Sequence, residues 1–289
     1  MNETGIIWTE RTWNPMSGCV KITAGCKYCY AAEFAENKRG TLAFPKGFDL
    51  TIREHKLKEP FKIKEPTLIF TNSMSDLFWD QIPNDYRHKI VDVIEQTPRH
   101  EYQVLTKRPD IMLAFSKERK LPRNFWAGVT IENEKTQPER LAILKQVESE
   151  IRFISYEPLL SDIGNPDLTD IQWVITGGES GSHLWKDHIA EQRALVIYDR
   201  EHKKWFPRPD RMDWIRKIRD ICLRDGVKFF HKQWGGNYPE AAGRLLDGRT
   251  WNDIPRLPGD RQQIDNNYLK HLENKKLGDK EASIMKTLF

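Results

Sequence analysis

The chain has only four cysteines among 289 residues, no apolar run long enough to cross a membrane, no low-complexity tract and no fixed repeat. Each absence removes a class of protein. Four cysteines in a chain this long do not make a disulfide scaffold, and a core of this size needs no covalent staple. Without some eighteen consecutive apolar residues there is no spanning helix to place. Residues 1–13 carry Glu3, Glu10 and Arg11 and lack the basic start, apolar stretch and small-residue cleavage site of a secretion signal. A strong excess of one charge is also missing. The 46 basic and 42 acidic side chains leave +4, compatible with a polyanion partner without arguing for one. These readings predict a protein of a reducing compartment, the cytoplasm.

What is present is an alternation of short apolar runs with longer amphipathic ones. Strands are expected at 67–71, 102–106, 125–131, 151–155, 173–176 and 227–231, with a weaker first strand near 12–16. Helical spacing brings Tyr86, Ile90, Val93 and Ile94 together over 84–96. It does the same for Leu141, Leu144 and Val147 over 136–148, and for Trp214, Ile218 and Ile221 over 213–224. Strand–helix alternation implies right-handed crossovers and a parallel sheet. About six or seven such units predict an α/β fold with a partial parallel (β/α) barrel; an open doubly wound sheet is the alternative. The strand ends favour the barrel, because they carry Asn72-Ser73, Thr106-Lys107-Arg108, Thr130 and Glu132, Glu157, Glu179, and Lys232-Gln233. In parallel barrels those ends converge on the active site. The expected organisation is a barrel over 1–255 with a basic, aromatic insertion at about 182–211, followed by a polar tail at 256–289.

Three of the four cysteines fall within eleven positions, as Cys19, Cys26 and Cys29. Clustered thiols in a reducing compartment point to metal or redox chemistry. A structural zinc site closes four positions, and no fourth cysteine or histidine lies nearby in sequence. Three thiolates on an iron–sulfur cubane leave one iron open, which is what chemistry needs. Gly18 and Gly25 would let the backbone pass close to a bulky cluster. Zinc remains the alternative at this point. Cys222 lies among Ile215, Ile218 and Ile221 at helical spacing and reads as a buried structural thiol.

The Cys26-Lys27-Tyr28-Cys29 ending resembles the C-x-aromatic-C of radical S-adenosylmethionine (radical SAM) motifs, although six residues rather than three separate the first two cysteines. Taken whole, the chain resembles a phage-associated three-cysteine-motif family regarded as divergent radical SAM members. The landmarks are Trp13-Asn14-Pro15 with the cysteines, residues 72–78, Leu105-Thr106-Lys107-Arg108-Pro109, residues 128–133, residues 156–160, residues 177–181 and Lys232-Gln233-Trp234-Gly235.

The resemblance implies a 4Fe–4S cluster on Cys19, Cys26 and Cys29 and S-adenosyl-L-methionine on the open iron. Tyr28 would lie beside the adenine. Lys107 or Arg108 would take the methionine carboxylate. Asn72, Ser73, Thr130 and Glu132 would take the amino group and ribose hydroxyls. Gly177-Gly178-Glu179 looks like the amino-group motif but follows about the sixth strand instead of the second. Gly177 and Gly178 are therefore cofactor candidates, and Glu179 a catalytic one. Tyr156 is a candidate hydrogen relay.

The implied function is modification of a nucleobase or its appended group by a 5′-deoxyadenosyl radical, in a bacterial cell or phage-infected host. Reduced flavodoxin or ferredoxin would donate the electron. The particular chemistry expected is phage DNA hypermodification, an isomerisation of an amino-acid-modified pyrimidine. The alternatives are a DNA-lesion repair lyase or RNA-modifying enzyme of the same cofactor class, and a non-enzymatic zinc-containing nucleic-acid-binding protein.

Overall fold

The computed structural model of the chain describes residues 1–186, 188–257 and 261–287, without the side chains of residues 2, 189, 191 and 275–287. The candidate insertion at 182–211 and the tail at 256–289 thus each lie partly outside the described residues.

Strands β1 (Asn2–Glu3), β2 (Arg11–Trp13) and β3 (Met16–Ser17) lead into the cysteine loop, which ends in helix α1 (Tyr30–Glu36). After β4 (Thr51–Ile52), which pairs with β3, the chain alternates regularly. It runs through β5 (Leu68–Thr71), α2 (Asn84–Gln96), β6 (Glu101–Thr106), α3 (Pro109–Glu118), β7 (Phe125–Thr130), α4 (Gln137–Leu144), β8 (Arg152–Tyr156) and β9 (Trp173–Gly177). Helices α5 (His183–Lys186) and α6 (His188–Arg193) and the hairpin β10 (Val196–Asp199) with β11 (Lys204–Pro207) come next. Then α7 (Pro209–Asp225), β12 (Lys228–Gln233) and α8 (Gln262–Thr287) complete the chain.

The main sheet has the order β1-β2-β5-β6-β7-β8-β9-β12. Its seven strands from β2 onward pair in parallel and only β1 is antiparallel. The strands follow one another in chain order, without the reversal of a doubly wound sheet, and among the described residues no pairing joins the β1 and β12 edges; the sheet is a curled half-barrel.

Strand alternation splits the core in two. Ile69, Tyr102, Val104, Val129, Ile154, Tyr156, Val174 and Phe229 pack outward with the helices. Leu68, Phe70, Trp126, Phe153, Trp173, Ile175 and Phe230 fill the concave side. Ile264, Tyr268 and Leu272 of α8, spaced four apart, close that interior from below. Arg261 beside them pairs with buried Glu101, whose carboxylate also accepts from Trp126. The first turns of the tail therefore belong to the core. At the opposite, carboxyl end of the strands the interior is open and polar.

Candidate functional site

The cysteine loop crosses this open end, supported by three strand ends. From β6, Arg108 Nη1 donates to Asp76 Oδ2 at 2.9 Å and approaches Cys19 Sγ at 3.6 Å, while Nη2 reaches the Val20 carbonyl. Asp76 is held in turn by the Thr106 hydroxyl and the Lys107 amide. Beyond β7, Glu132 is fully buried and accepts from Thr23 Oγ1 at 2.7 Å and Arg140 Nη1 at 3.1 Å. The Thr23 hydroxyl also lies 3.5 Å from Cys26 Sγ. Gly25 is required here for close approach, since a Cβ would stand 2.5 Å from Glu132 Cγ. Beyond β9, Glu179 accepts from Arg193 Nε and Nη2 at 2.9 and 2.7 Å, and the same Arg193 donates to the Ala24 carbonyl. Such a bidentate pair fixes orientation as well as charge.

The thiols differ electrostatically. Burial and the charge of Asp76 push Cys19 up, with Arg108 opposing. Burial acts the same way on Cys26, yet Lys107 and hydrogen bonds from Ile22 and Thr23 bring it below the ordinary thiol value. Among the described residues no three His, Cys, Asp or Glu side chains are gathered around one point to hold a single metal ion. A cubane does not ask for that, because each thiolate binds a different iron. Cys222 is fully buried and packed in the helical layer, and burial raises its thiol.

A cleft of about 560 Å³ opens beside the loop, lined among others by Cys19, Tyr28, Cys29, Ser182, His183 and Lys186. The Tyr28 ring stacks on His183 at 4.1 Å and 4°, with the Arg193 guanidinium 5.2 Å from its centroid. Lys107 is half-buried, and among the described residues its ammonium makes no hydrogen bond or ion pair. Asn72, directly after β5, is 3 % exposed with φ +71°, and neither polar atom of its amide has a hydrogen-bond partner. A buried amide left this way asks for a ligand. Ser73 instead exchanges hydrogen bonds with Asn14 at 3.0 and 3.2 Å.

Several sequence-selected residues stand elsewhere than expected. Tyr156 is buried on the outer face of β8, with its hydroxyl on Gln137 of α4, because the two-residue period that turns Ser155 inward turns Tyr156 toward the helices. It does not reach the mouth. Arg108 is engaged by Asp76, and Glu132 and Glu179 are engaged with Arg140 and Arg193, so these three brace the cysteine loop. Thr130 is buried at the end of β7, where its carbonyl accepts from Arg140. Gly178 lets two backbones meet, since a Cβ there would lie 1.9 Å from the Trp234 carbonyl oxygen. The bracing residues Thr23, Asp76, Arg140 and Arg193 were not singled out from sequence. Only Asp76 carried a signal, as part of the 72–78 landmark.

No curated protein matches the sequence. Among solved structures, a spore photoproduct lyase variant aligns at 15 % identity over 80 % of this chain and 76 % of its own, with TM-score 0.49. Another spore photoproduct lyase, complexed with dinucleoside spore photoproduct, aligns at 13 % identity over 77 % and 74 %, with TM-score 0.46. A family model matches residues 3–203 and 203–255, and this chain is thereby a member of the family described as "Protein of unknown function (DUF5131)".

Proposed function

We propose that this chain is a radical SAM enzyme acting on a nucleobase or a group appended to one. One observation carries the reading. Three thiols sit on a single loop at the carboxyl end of a parallel half-barrel, braced from three strand ends, and the remaining cysteine is buried in the helical layer. When bound there, a 4Fe–4S cluster with S-adenosylmethionine supplies one-electron cleavage of the sulfonium to a 5′-deoxyadenosyl radical.

The chain's own residues then have distinct tasks. Cys19, Cys26 and Cys29 hold the cluster. Lys107, with its unpaired ammonium, takes the methionine carboxylate, while Arg108 positions Cys19. Asn72 offers its unpartnered amide to the amino group or ribose, with Ser73 next to it in the chain and Thr130 two strands away at the end of β7. Tyr28, stacked on His183 in the lining of the cleft, flanks the adenine. Glu132 and Glu179 keep the loop in place, while Gly177 makes room for the Glu157 carboxylate and Gly178 for the Trp234 backbone.

A nucleic-acid substrate is supported by the hairpin beside the cleft. Its turn exposes Arg200 and Lys203, and its strands expose Lys204, Ile197 and Phe206. A target base in duplex DNA must leave the stack to reach such a site. Because Cys222 is buried away from the mouth, no fourth thiol is at hand to return a hydrogen. That favours isomerisation of a substituted pyrimidine, as in phage DNA hypermodification, over a repair lyase. Reduced flavodoxin or ferredoxin fits as the electron source.

The test is anaerobic purification. About four irons per chain and release of deoxyadenosine under reductant are expected. Iron-free protein that yields none would overturn the reading. Comparing phage or host nucleosides with and without the protein, against lesion-bearing oligonucleotides, separates isomerase from lyase.

A further inference from the structure

The mouth of the half-barrel divides in two. Beyond β5, β6 and β7 the strand ends support the cysteine loop through Ser73, Arg108 and Glu132, and beyond β9 Glu179 holds it through Arg193. Between the ends of β8 and β12 a different pair presides. Lys232, near the end of β12, donates from Nζ to Glu157 Oε1 at 2.7 Å, reaching across β9 to the end of β8. Each of these side chains is 18 % exposed. Below them lie Phe153, Ile175 and Phe230, so the pair closes an apolar interior at its open end. Gly177 stands between, and a Cβ there would come within 3.0 Å of the Glu157 carboxyl carbon.

We propose that Glu157 and Lys232 recognise a zwitterion, an α-amino acid group carried by the substrate; this rests on the radical-enzyme reading above. The pair is neutral as a whole. A phosphate attracted to Lys232 would meet the Glu157 carboxylate beside it, and that repulsion selects against phosphate. A ligand carrying ammonium and carboxylate on one carbon instead converts one ion pair into two. Its ammonium goes to Glu157 and its carboxylate to Lys232. Charged partners in a partly desolvated mouth discriminate strongly against analogues that leave one of them unpaired. The missing side chain at Gly177 lets the Glu157 carboxylate lie flat across β9 toward Lys232.

Equilibrium dialysis of the anaerobic holoenzyme tests this with four probes: thymidine carrying an α-amino acid on its methyl carbon, the analogues lacking the amino or the carboxylate group, and thymidine 5′-monophosphate. The zwitterion is expected to bind at least about tenfold tighter than the other three, a ratio worth ~1.4 kcal/mol. Glu157→Gln should abolish the preference over the analogue without the amino group, and Lys232→Met that over the analogue without the carboxylate. The swap Glu157→Lys with Lys232→Glu keeps an ion pair, so its thermal midpoint should stay near wild type while zwitterion binding is lost. Binding that survives the swap, or a monophosphate that binds as well as the zwitterion, overturns the proposal. Wild-type iron content and deoxyadenosine release are read on the same preparation. Failure there sinks the radical reading and this inference with it, whereas an intact holoenzyme indifferent to the zwitterion sinks only this inference.

Discussion

Replacing Glu132 by Gln removes one charge from the buried network under the cysteine loop while keeping its shape. The carboxylate is fully buried and bridges Thr23, 2.7 Å away, to Arg140, 3.1 Å away. A glutamine can turn its oxygen to Arg140 and its amide to the Thr23 hydroxyl, so both contacts survive geometrically. What is lost is the counter-charge of a guanidinium whose side chain is 7 % exposed. Breaking a buried pair from one side costs about 3–5 kcal/mol. Arg140 keeps the Thr130 carbonyl, so the low end, roughly 3 kcal/mol, is expected. Urea unfolding of the two proteins measures this directly. A second measurement follows from the position of Thr23 beside Cys26: alkylation of Cys26 should accelerate as the loop loosens. Replacing the whole pair instead, Glu132→Leu with Arg140→Met, should cost less than the single change, since apolar replacement of both partners of a buried pair is often close to neutral. A cost below about 1 kcal/mol for the single change, or a double variant no more stable than the single, would refute the claim that charge at Glu132 braces the loop.

Gly25→Ala should cost about 1–3 kcal/mol or lift the loop, because the new Cβ falls 2.5 Å from Glu132 Cγ; iron bound after reconstitution should fall. Arg193→Met should leave Glu179 without its bidentate partner, with only His183 at 3.8 Å, and release the Ala24 carbonyl, increasing proteolytic nicking near residue 24. Arg261→Met should cost roughly 3–5 kcal/mol in urea unfolding by stranding buried Glu101. Burial, aided by Arg244, lowers His231 to about 3. The unfolded imidazole titrates near ~6.5, so below that pH the unfolded chain binds the extra proton, and stability is lost as pH falls. Glu10 and Glu101, raised to about 7 chiefly by burial, act in the opposite direction. The informative quantity is therefore the difference between wild type and His231→Gln. It should shrink by about 2 kcal/mol between pH 6.5 and 5. A constant difference would contradict the assignment.

The alternating fold was legible because apolar period is a local property. Helix α2 begins and ends where the spacing of Tyr86, Ile90, Val93 and Ile94 places it. Apart from the first, expected near 12–16 and ending at Trp13, the parallel strands fall within a residue or two of their sequence-based bounds. Helix α3 and the β10–β11 hairpin were missed. The first begins at Pro109 itself, with only two residues between it and the end of β6. The second lies in a segment whose aromatics, Trp185, Tyr198 and Trp205, pack on one another and carry no simple period. The tail read as polar because only three residues in its first turns, Ile264, Tyr268 and Leu272, face the interior.

The sequence by itself determined the strand–helix alternation and the grouping of three thiols, since both depend on neighbours along the chain. Which polar residues face the mouth, and which brace the loop, was decided only by tertiary structure. Tyr156 and Ser155 are adjacent in sequence yet lie on opposite faces of one strand. Arg193 reaches Ala24 across 169 positions. Lys232 meets Glu157 across 75. Contacts of that kind arise when the sheet curls and brings distant strand ends together, and no periodicity along the chain records them.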